Sequence, residues 1–369
     1  MNTNHVYSLV LVFVLMGVLG VSTIVHKVEA APPPTFIYIR ADGSIDPPAQ
    51  PYIESINNIT YTFKADMYAS IVVESSNIII DGNWHTLEGD YLPILGLNLT
   101  SVSNVTINNA NIKRFDTGIY LESASQCIIS GNNLTENNSA GILLISSSLN
   151  NVSQNMITHN SFGIRLEEQS HFNTISQNKI ADNGNGIDLY SIDFPQENNT
   201  VLGNDIKNNK WGIHFLVTSN CTITRNNVEN NTEGVVIYRS RYTTITENNI
   251  TSNTNHGIYL DMSYDGKVYH NNFVGNGSPY LYSSTNMWDD GYPSGGNYWS
   301  DYEERYPNAT EIDGSGIWDT PYEIDENNQD NYPLVHIVPE FPSFLILPLF
   351  MITSLLAVII YKRKHSLLC

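Results

Sequence analysis

The chain has 369 residues, a formal net charge of −20 and an aromatic content of 11%. Such a chain is too apolar and too aromatic to stay disordered. Its acidity argues against nucleic acid and against an anionic membrane surface as partners, and it favours cations or neutral or cationic polymers.

The amino-terminal segment has the pattern of a secretory signal. An apolar run over residues 7–22 is followed by a small-residue site at Val28-Glu29-Ala30, which predicts a signal peptide over residues 1–30. Because no Lys or Arg precedes the apolar run, an uncleaved signal anchor is the alternative. Residues 31–67 are then expected to form an N-terminal cap or lead-in.

The middle of the chain carries a repeat. A phrase of the form Gly-Ile-x-Leu returns at intervals of 22, 23 or 26 residues. Its glycines are Gly118, Gly141, Gly163, Gly186, Gly212, Gly234 and Gly257. This period is typical of one coil of a parallel β-helix, whereas helical repeats are longer and leucine-rich repeats need leucines that are missing here. We therefore predict an all-β parallel β-helix over residues 68–281.

Each coil also carries two other apolar positions five residues apart, such as Ile129 and Leu134, which are predicted to point into the core. Asn recurs two residues before and three residues after the second of them. Stacked coils lie ~4.8 Å apart and an amide both donates and accepts, so these Asn side chains are expected to form ladders. The predicted rungs are Asn132, Asn155, Asn178, Asn204, Asn226, Asn248 and Asn271, and Asn137, Asn160, Asn183, Asn209, Asn231, Asn253 and Asn276.

The cysteines do not indicate a disulfide framework. Cys127 and Cys221 share one column of the repeat but lie four coils apart, or ~19 Å. This exceeds the ~7 Å Cα separation that a disulfide allows, so both are predicted to be free. The third cysteine, Cys369, ends the chain.

A known family resembles this pattern. The phrase IIIDGNWHTL within residues 75–92, together with the repeats, resembles the first coils of pectin-lyase-like right-handed β-helices of the NosD-like and CASH group. The resemblance covers about residues 68–335 and implies a right-handed parallel β-helix. It leaves function open, because that group includes polysaccharide lyases, hydrolases, epimerases, surface proteins and an accessory protein for copper insertion.

Residues 282–337 are expected to cap the open end of the β-helix. The phrases GNYWSDY, IWDTPY and DNYPL resemble the C-terminal part of archaeal NosD-like proteins. The aromatic residues predicted to cover the last coil are Tyr298, Trp299, Tyr302, Trp318 and Tyr322. Related proteins often carry a calcium loop here, but between Asp313 and Asp319 the alternating carboxylates are mostly absent. We therefore expect a glycine-rich turn and no cofactor, with calcium as the alternative.

The carboxyl-terminal segment predicts attachment to the cell surface. Residues 338–342 resemble the Pro-Glu-Phe start of archaeosortase-type sorting signals, residues 343–361 are long and apolar enough to span a bilayer, and residues 362–369 are basic. The chain is thus expected on the extracellular face of the membrane with its C-terminus in the cytoplasm, as a plain anchor or after processing. Of twelve Asn-x-Ser/Thr sequons, those outside the repeat, such as Asn58 and Asn308, are predicted glycan sites.

Function is expected where the repeat is broken, on the outward positions after each glycine. Arg165, Asp188 and His214 stand at the same position of three adjacent coils, and Glu167 and Tyr190 flank them. One hypothesis is an acid/base site in which Asp188 is the base, His214 or Glu167 the acid, and Arg165 neutralises a uronate. The alternative is a surface ladder of cross-strand charge pairs.

Other outward residues are candidate ligands for a sugar. The candidates on this face are Tyr190, Tyr238, Tyr259, Asp261 and Glu122. The longest coil places its extra residues at about Ser191–Asn198, where they are expected to wall a groove. A copper site is not favoured, since there is no His-x-His and no Met-rich run, and the metal prediction is none. The histidines of the domain are scattered over different columns: His85, His159, His171, His214, His256 and His270.

Taken together, the pattern predicts a surface-anchored protein that binds a glycan or envelope polymer, or serves as an adhesion scaffold, without catalysis. A polysaccharide lyase or hydrolase that acts on the outer face is the first alternative. A NosD-like copper accessory protein is the second. Nucleic acid is not expected as a partner.

Overall fold

We describe the protein from a computed structural model that covers residues 35–48, 50–91 and 94–339. The predicted signal peptide (1–30), membrane segment (343–361) and basic tail (362–369) lie outside these residues, as do the last three residues of the sorting motif (338–342). Within the described part of the chain, no helix is both long enough and apolar enough to cross a membrane.

The chain winds into a parallel β-helix of about ten turns, as the repeat predicts. Each turn adds a strand to three faces, which we call A, B and C. Face A holds the longest strands, most of them six residues that include the glycine phrase. Its strands are β1 Thr35–Ile39, β5 Met67–Val73, β8 Leu95–Thr100, β11 Thr117–Glu122, β14 Ala140–Ile145, β17 Phe162–Glu167, β20 Asn185–Tyr190, β24 Trp211–Leu216, β28 Glu233–Tyr238, β31 His256–Asp261 and β34 Tyr280–Tyr282.

Faces B and C consist mainly of three-residue strands whose middle side chain is buried. Face B is formed by β3 Ile53–Ser55, β4 Thr60–Phe63, β6 Ile79–Asp81, β9 Thr106–Asn108, β12 Ile128–Ser130, β15 Asn151–Ser153, β18 Thr174–Ser176, β22 Thr200–Leu202, β26 Thr222–Thr224, β29 Thr244–Thr246, β32 Tyr264–Tyr269 and β35 Thr285–Met287. Face C is formed by β7 Thr86–Glu88, β10 Asn111–Lys113, β13 Asn133–Thr135, β16 Met156–Thr158, β19 Lys179–Ala181, β23 Asp205–Lys207, β27 Asn227–Glu229, β30 Asn249–Thr251, β33 Asn272–Val274 and β36 Tyr298–Trp299.

A few short elements lie beside the three faces. The strand β2, Ile45–Asp46, pairs antiparallel with β1. In the longest coil β21, Gln196–Glu197, pairs parallel with β25, Thr218–Ser219. Near the C-terminal end lie a one-turn helix and an antiparallel hairpin. These are α1 Tyr302–Arg305, β37 Tyr322–Asp325 and β38 Asn328–Asp330.

Successive coils pair in register, so residues of the same type lie next to one another in adjacent coils. Between β17 and β20, for example, Ile164 pairs with Ile187 and Leu166 with Leu189, and all four side chains are fully buried. The core is therefore a set of aliphatic columns that run along the axis. The stack already begins at β1, which pairs parallel with β5, upstream of residue 68, from which the pattern predicts it.

Both asparagine columns form hydrogen-bonded ladders. The Oδ1 of Asn155 accepts from the backbone N and the Nδ2 of Asn132 in the preceding coil, each at 3.0 Å. The Nδ2 of Asn155 donates to Asn178 Oδ1 at 3.0 Å and to the carbonyl of Ile129 at 2.9 Å. Each buried amide thus satisfies its own atoms and a backbone group of the turn.

A third, shorter ladder was not predicted from the sequence. Asn150 donates from Nδ2 to Asn173 Oδ1 at 3.1 Å, and Asn173 donates to Asn199 Oδ1 at 3.2 Å. In the same column, the coil before Asn150 has Cys127 and the coil after Asn199 has Cys221. The position is therefore asparagine in only three coils. Both cysteines are free, as predicted, and both are buried. Burial raises the pKa of the Cys221 thiol to about 11, which keeps it protonated at neutral pH.

An aromatic stack closes the C-terminal end of the core. Trp299 lies between Phe273 and Tyr322, with ring centroids at 4.4 and 4.2 Å. Tyr302 of α1 stacks on Trp318 at 5.1 Å. Four of the five aromatic residues predicted for the cap therefore cover the last coil in the structure, where they remove its apolar surface from water.

Replacing one rung of a ladder is expected to be costly. In Asn155→Ala, the backbone N of Asn132 and the carbonyl of Ile129 lose buried partners. At about 1–3 kcal/mol for each of the two orphaned groups, the free energy of unfolding should fall by about 2–6 kcal/mol, measured by urea denaturation. The control is Asn151→Ala in the same coil, because Asn151 is exposed; an equal loss in both variants would contradict a structural role for the ladder.

Asp330 makes the capped end sensitive to pH. It is fully buried, and its carboxylate accepts from Asn297 N at 2.7 Å and from Trp299 Nε1 at 3.0 Å. Burial raises its pKa from 3.8 to about 7, against the effect of these donors. A carboxyl whose pKa is higher in the folded state stabilises the fold at low pH, and this stabilisation is lost as the pH rises through about 7.

We therefore expect the thermal unfolding midpoint, followed by tryptophan fluorescence, to fall between pH 5 and pH 8. For a pKa shift of this size, the free energy of unfolding falls by on the order of 4 kcal/mol at most between low and high pH. The variant Asp330→Asn cannot titrate and should show a shallower decline over the same interval. Equal pH dependence in the two proteins would show that another group is responsible.

Candidate functional site

A groove with a volume of about 540 Å³ lies on face A, across the coils that contain β17, β20, β24, β28 and β31. It is open to solvent along the face. Its walls are Phe162, Arg165, Asn185, Asp188, Tyr190, Trp211, His214, Leu216, Glu233, Val236, Tyr238 and Tyr259.

The glycine of each Gly-Ile-x-Leu repeat determines which neighbouring side chains point into this groove. In β17 both Gly163 and Ile164 are buried, which breaks the strict alternation and turns Phe162 outward. A Cβ on Gly163 would lie 2.5 Å from the carbonyl oxygen of Gly186, so only glycine fits there. Three outward columns result, one residue before and two and four residues after each glycine.

Asp188 and His214 form a buried pair at the centre of the groove. Their residues are only 2% and 7% exposed, and His214 Nδ1 lies 2.6 Å from Asp188 Oδ1. A carboxylate can only accept, so Nδ1 carries the hydrogen of this bond. No described residue makes a hydrogen bond with Nε2 of His214. His214 lines the groove. The ring of Trp211 packs against the imidazole, with centroids 4.5 Å apart.

Arg165 lies next to this pair in the preceding coil. Its guanidinium carbon is 4.2 Å from the ring centroid of Phe162 and 4.7 Å from that of Tyr190. Its Nε is 2.6 Å from Glu167 Oε1 and 3.6 Å from Asp188 Oδ2, although the Nε hydrogen is directed at neither oxygen. No described residue accepts a hydrogen bond from its two terminal nitrogens, so the planar end of the side chain remains available to a ligand.

Glu233 brings a second unused polar atom to the groove. Its Oε1 accepts from Asn255 Nδ2 at 2.9 Å. Its Oε2 is buried and has no hydrogen-bond partner among the described residues. A buried carboxylate oxygen is stable only with a donor nearby, which a hydroxyl or amino group of a ligand would supply.

Aromatic rings complete the walls. Tyr190, Trp211, Tyr238 and Tyr259 come from four successive coils, which span three rises or about 14 Å. Tyr259 is held by Tyr280 of the next coil, with ring centroids 4.6 Å apart and planes 17° apart. Burial, and then the carboxylate of Asp261, raise the pKa of the Tyr259 hydroxyl, so it stays a hydrogen-bond donor at neutral pH.

The structure gathers most of the site residues that the sequence suggests. Six of them line the groove: Arg165, Asp188, Tyr190, His214, Tyr238 and Tyr259. Glu122, Glu167 and Asp261 stand on face A but do not line it, although Glu167 contacts Arg165. Asp188 is only 2% exposed and is covered by its neighbours, which does not suit the role of base that the sequence suggested for it.

Six lining residues were not suggested as site residues by the sequence: Phe162, Asn185, Trp211, Leu216, Glu233 and Val236. Phe162, Asn185, Trp211 and Glu233 each precede a glycine, where strict alternation would have pointed them inward. The wall expected from Ser191–Asn198 is also absent from the groove. Gln196 instead turns inward and donates to the carbonyls of Leu166 and Tyr190, both at 2.9 Å.

In the C-terminal turn, where calcium is the alternative, the carboxylate of Asp319 bonds to Thr310. Asp319 accepts from the backbone N of Thr310 at 3.0 Å and from its hydroxyl at 2.7 Å. These bonds lower the pKa of Asp319 and occupy both of its oxygens. Across the described residues, no three His, Cys, Asp or Glu side chains converge to hold a metal ion.

A protein-family model described as periplasmic copper-binding protein (NosD) matches residues 52–193 and 168–304. The two matches together span more than half of the chain. Comparison with curated proteins finds no match.

Several solved structures are similar in chain path. The periplasmic alginate epimerase AlgG has a TM-score of 0.45 and 15% identity, over 68% of this chain and 83% of that one. The A-module of the mannuronan C-5 epimerase AlgE6 from Azotobacter vinelandii has a TM-score of 0.42 and 13% identity, over 72% and 82%. The pectate lyase Pel9A has a TM-score of 0.40 and 16% identity, over 70% and 71%.

The donor atoms of the described residues do not fit a copper site. Copper in proteins is held by several imidazole nitrogens or soft sulfur atoms around one point. The groove contains one imidazole, that of His214, whose Nδ1 is already bonded to Asp188. Cys127 and Cys221 are buried in the core of different coils.

Proposed function

Because this chain belongs to the family described as periplasmic copper-binding protein (NosD), but carries a sugar-sized aromatic groove in place of a copper donor set, we propose that it is an extracytoplasmic glycan-binding protein. The family description supports a location outside the cytoplasm. The observation that carries the proposal is the groove on face A, with aromatic rings from four successive coils and polar groups between them.

The groove suits a sugar chain in shape and in chemistry. Ligand sites are concave and largely apolar, with a few polar groups that fix orientation. Aromatic rings stack on the apolar faces of sugar rings, and the polar edges of a sugar need hydrogen-bond partners. Arg165 offers unused donors, Glu233 an unused acceptor, and His214 a ring nitrogen.

We further propose that the protein is held at the cell surface by its C-terminal segment. Support comes from the apolar residues 343–361 and the basic residues 362–369, which outline a single span with the preceding domain outside. Such an anchor would hold the groove next to the polymers of the cell envelope.

Removal of the central aromatic ring should weaken glycan binding. We expect Trp211→Ala to lower the affinity for the best ligand on a glycan array by about tenfold, since truncating a buried aromatic anchor usually costs more than about 1 kcal/mol. The measurement is isothermal titration with that glycan.

The matched control is Trp84→Ala, because Trp84 is 64% exposed and lies outside the groove. Equal affinity in the Trp211 and Trp84 variants would move binding away from the groove. Absence of binding to any glycan would overturn the proposed function.

Truncation should release the protein from the membrane. A chain that ends at residue 338 is expected in the culture medium, whereas the full chain should sediment with the membrane fraction, because only the full chain has the apolar segment 343–361. Immunoblotting of the two fractions measures the difference. A truncated chain that still sediments would show that the attachment lies elsewhere.

A further inference from the structure

Resting on the proposed glycan-binding function, we propose that the groove is the active site of a lyase for uronate-containing glycans. In this site His214 removes the proton from the carbon next to a sugar carboxylate, and Arg165 holds that carboxylate. Three observations carry the proposal: the unused planar end of Arg165, the buried Asp188–His214 pair, and their positions on three adjacent strands.

Arg165 is prepared to bind a carboxylate. The rings of Phe162 and Tyr190 hold its guanidinium in place, at 4.2 and 4.7 Å. Glu167 and Asp188 lie beside Nε, which leaves the two terminal nitrogens without a partner among the described residues. A planar guanidinium with free terminal nitrogens matches the two oxygens of a carboxylate with two parallel hydrogen bonds.

His214 is prepared to accept a proton. The bond of Nδ1–H to Asp188 places the lone pair on Nε2, which makes no hydrogen bond with a described residue, and the residue lines the groove. Asp188 is a positioning residue, because it is 2% exposed and acts through the imidazole. Its negative charge also stabilises the imidazolium that forms when the proton arrives.

The register brings these groups onto one ligand. Arg165 pairs with Asp188, and Asp188 pairs with His214, on strands ~4.8 Å apart. A carboxylate bound by the terminal nitrogens of Arg165 can lie over the strand of Asp188, which puts the adjacent carbon of the same sugar between Arg165 and His214. Hydrogen bonds from Arg165 stabilise the extra negative charge that this carboxylate gains when the proton leaves.

The reaction is a β-elimination. The C5–H bond of the uronate breaks, the proton goes to Nε2 of His214, and the electron pair forms a C4=C5 double bond. The C4–O4 bond breaks, and its electron pair leaves with the oxygen of the departing sugar. That oxygen takes up the proton from the imidazolium through the water of the open groove, so no oxidant, reductant or further reactant is consumed.

The charge of the whole chain sets the conditions for this substrate. A net charge of −20 repels a polyanion at low ionic strength, but this repulsion is screened beyond ~8 Å in physiological salt. At the groove itself Arg165, Lys210 and Arg239 offset the carboxylates of Glu167, Asp188 and Glu233. Lys210 and Arg239 lie over the rings of Trp211 and Tyr238, both at 5.3 Å. Turnover of a long uronan should therefore rise when salt is raised from about 10 to 150 mM.

The test uses the full chain with oligomers of galacturonate, mannuronate and guluronate, and with the same oligomers after reduction of their carboxyl groups. The conjugated double bond of the product absorbs ultraviolet light. We expect absorbance to grow with at least one uronate oligomer and with none of the reduced ones. The reduced oligomers keep the sugar shape but lack the carboxylate and the acidified proton.

Variants separate chemistry from folding. His214→Ala should lower kcat by about 100- to 10,000-fold, the range for loss of a general base, and added imidazole should restore part of it. Asp188→Asn should lower kcat with little change in KM, whereas Arg165→Gln should raise KM as well. Lys179→Ala, an exposed change on face C, should match the parent chain. Glycan affinity measured on each variant shows whether its groove is intact.

The outcomes distinguish the two proposals. Uronate binding without any ultraviolet product would overturn the lyase and leave the glycan-binding function in place. Product formation that survives His214→Ala would also overturn the proposal, since another group would then be the base. Absence of binding to uronate and neutral glycans alike would overturn both.

Discussion

The structure depends on hydrogen bonds between equivalent positions of successive coils. Apart from β3, which pairs antiparallel with β4, every strand of the three faces pairs with the strand one coil away, so a coil is stable only if its turns leave no buried polar group without a partner. The asparagine ladders meet this demand, because each amide serves the preceding coil, the following coil and the turn itself. Inward positions and turns are thereby restricted to few residue types, and chemical variety is left to the outward positions.

This constraint explains what the sequence could predict. The period, the aliphatic columns and two asparagine columns repeat over seven coils, and each repetition strengthens the inference. The ladder of Asn150, Asn173 and Asn199 covers only three coils and ends at Cys127 and Cys221, so it gives too few repetitions to be noticed. The number of coils that share a residue therefore limits what can be inferred from pattern alone.

At the candidate site, the sequence pattern predicts some outward residues correctly and misses others. Alternation after each glycine predicts correctly that Arg165, Asp188 and His214 share a face. It fails one residue before the glycine, where close approach of two backbones breaks the period and turns Phe162 and Trp211 outward. Asp188 illustrates a further limit: it stands at an outward position but is buried, because its neighbours in the adjacent coils cover it. Burial of this kind depends on side-chain size in three coils at once.

The burial of Asp188 makes its charge depend on the neighbouring side chains of His214 and Arg165. An isolated carboxylate so far from water is strongly disfavoured, and this one is compensated by His214 on one side and by the charge of Arg165 on the other. The three side chains are therefore one electrostatic unit built across three coils. Because loss of His214 or Arg165 leaves the buried carboxylate of Asp188 less well compensated, the base and the carboxylate-binding group of the proposed site are not expected to vary independently. A chain of this family that lost one of the three side chains would be expected to replace all three, most simply with apolar residues. Leu143 and Val236 are such residues, and they flank Arg165 and His214 in the same column.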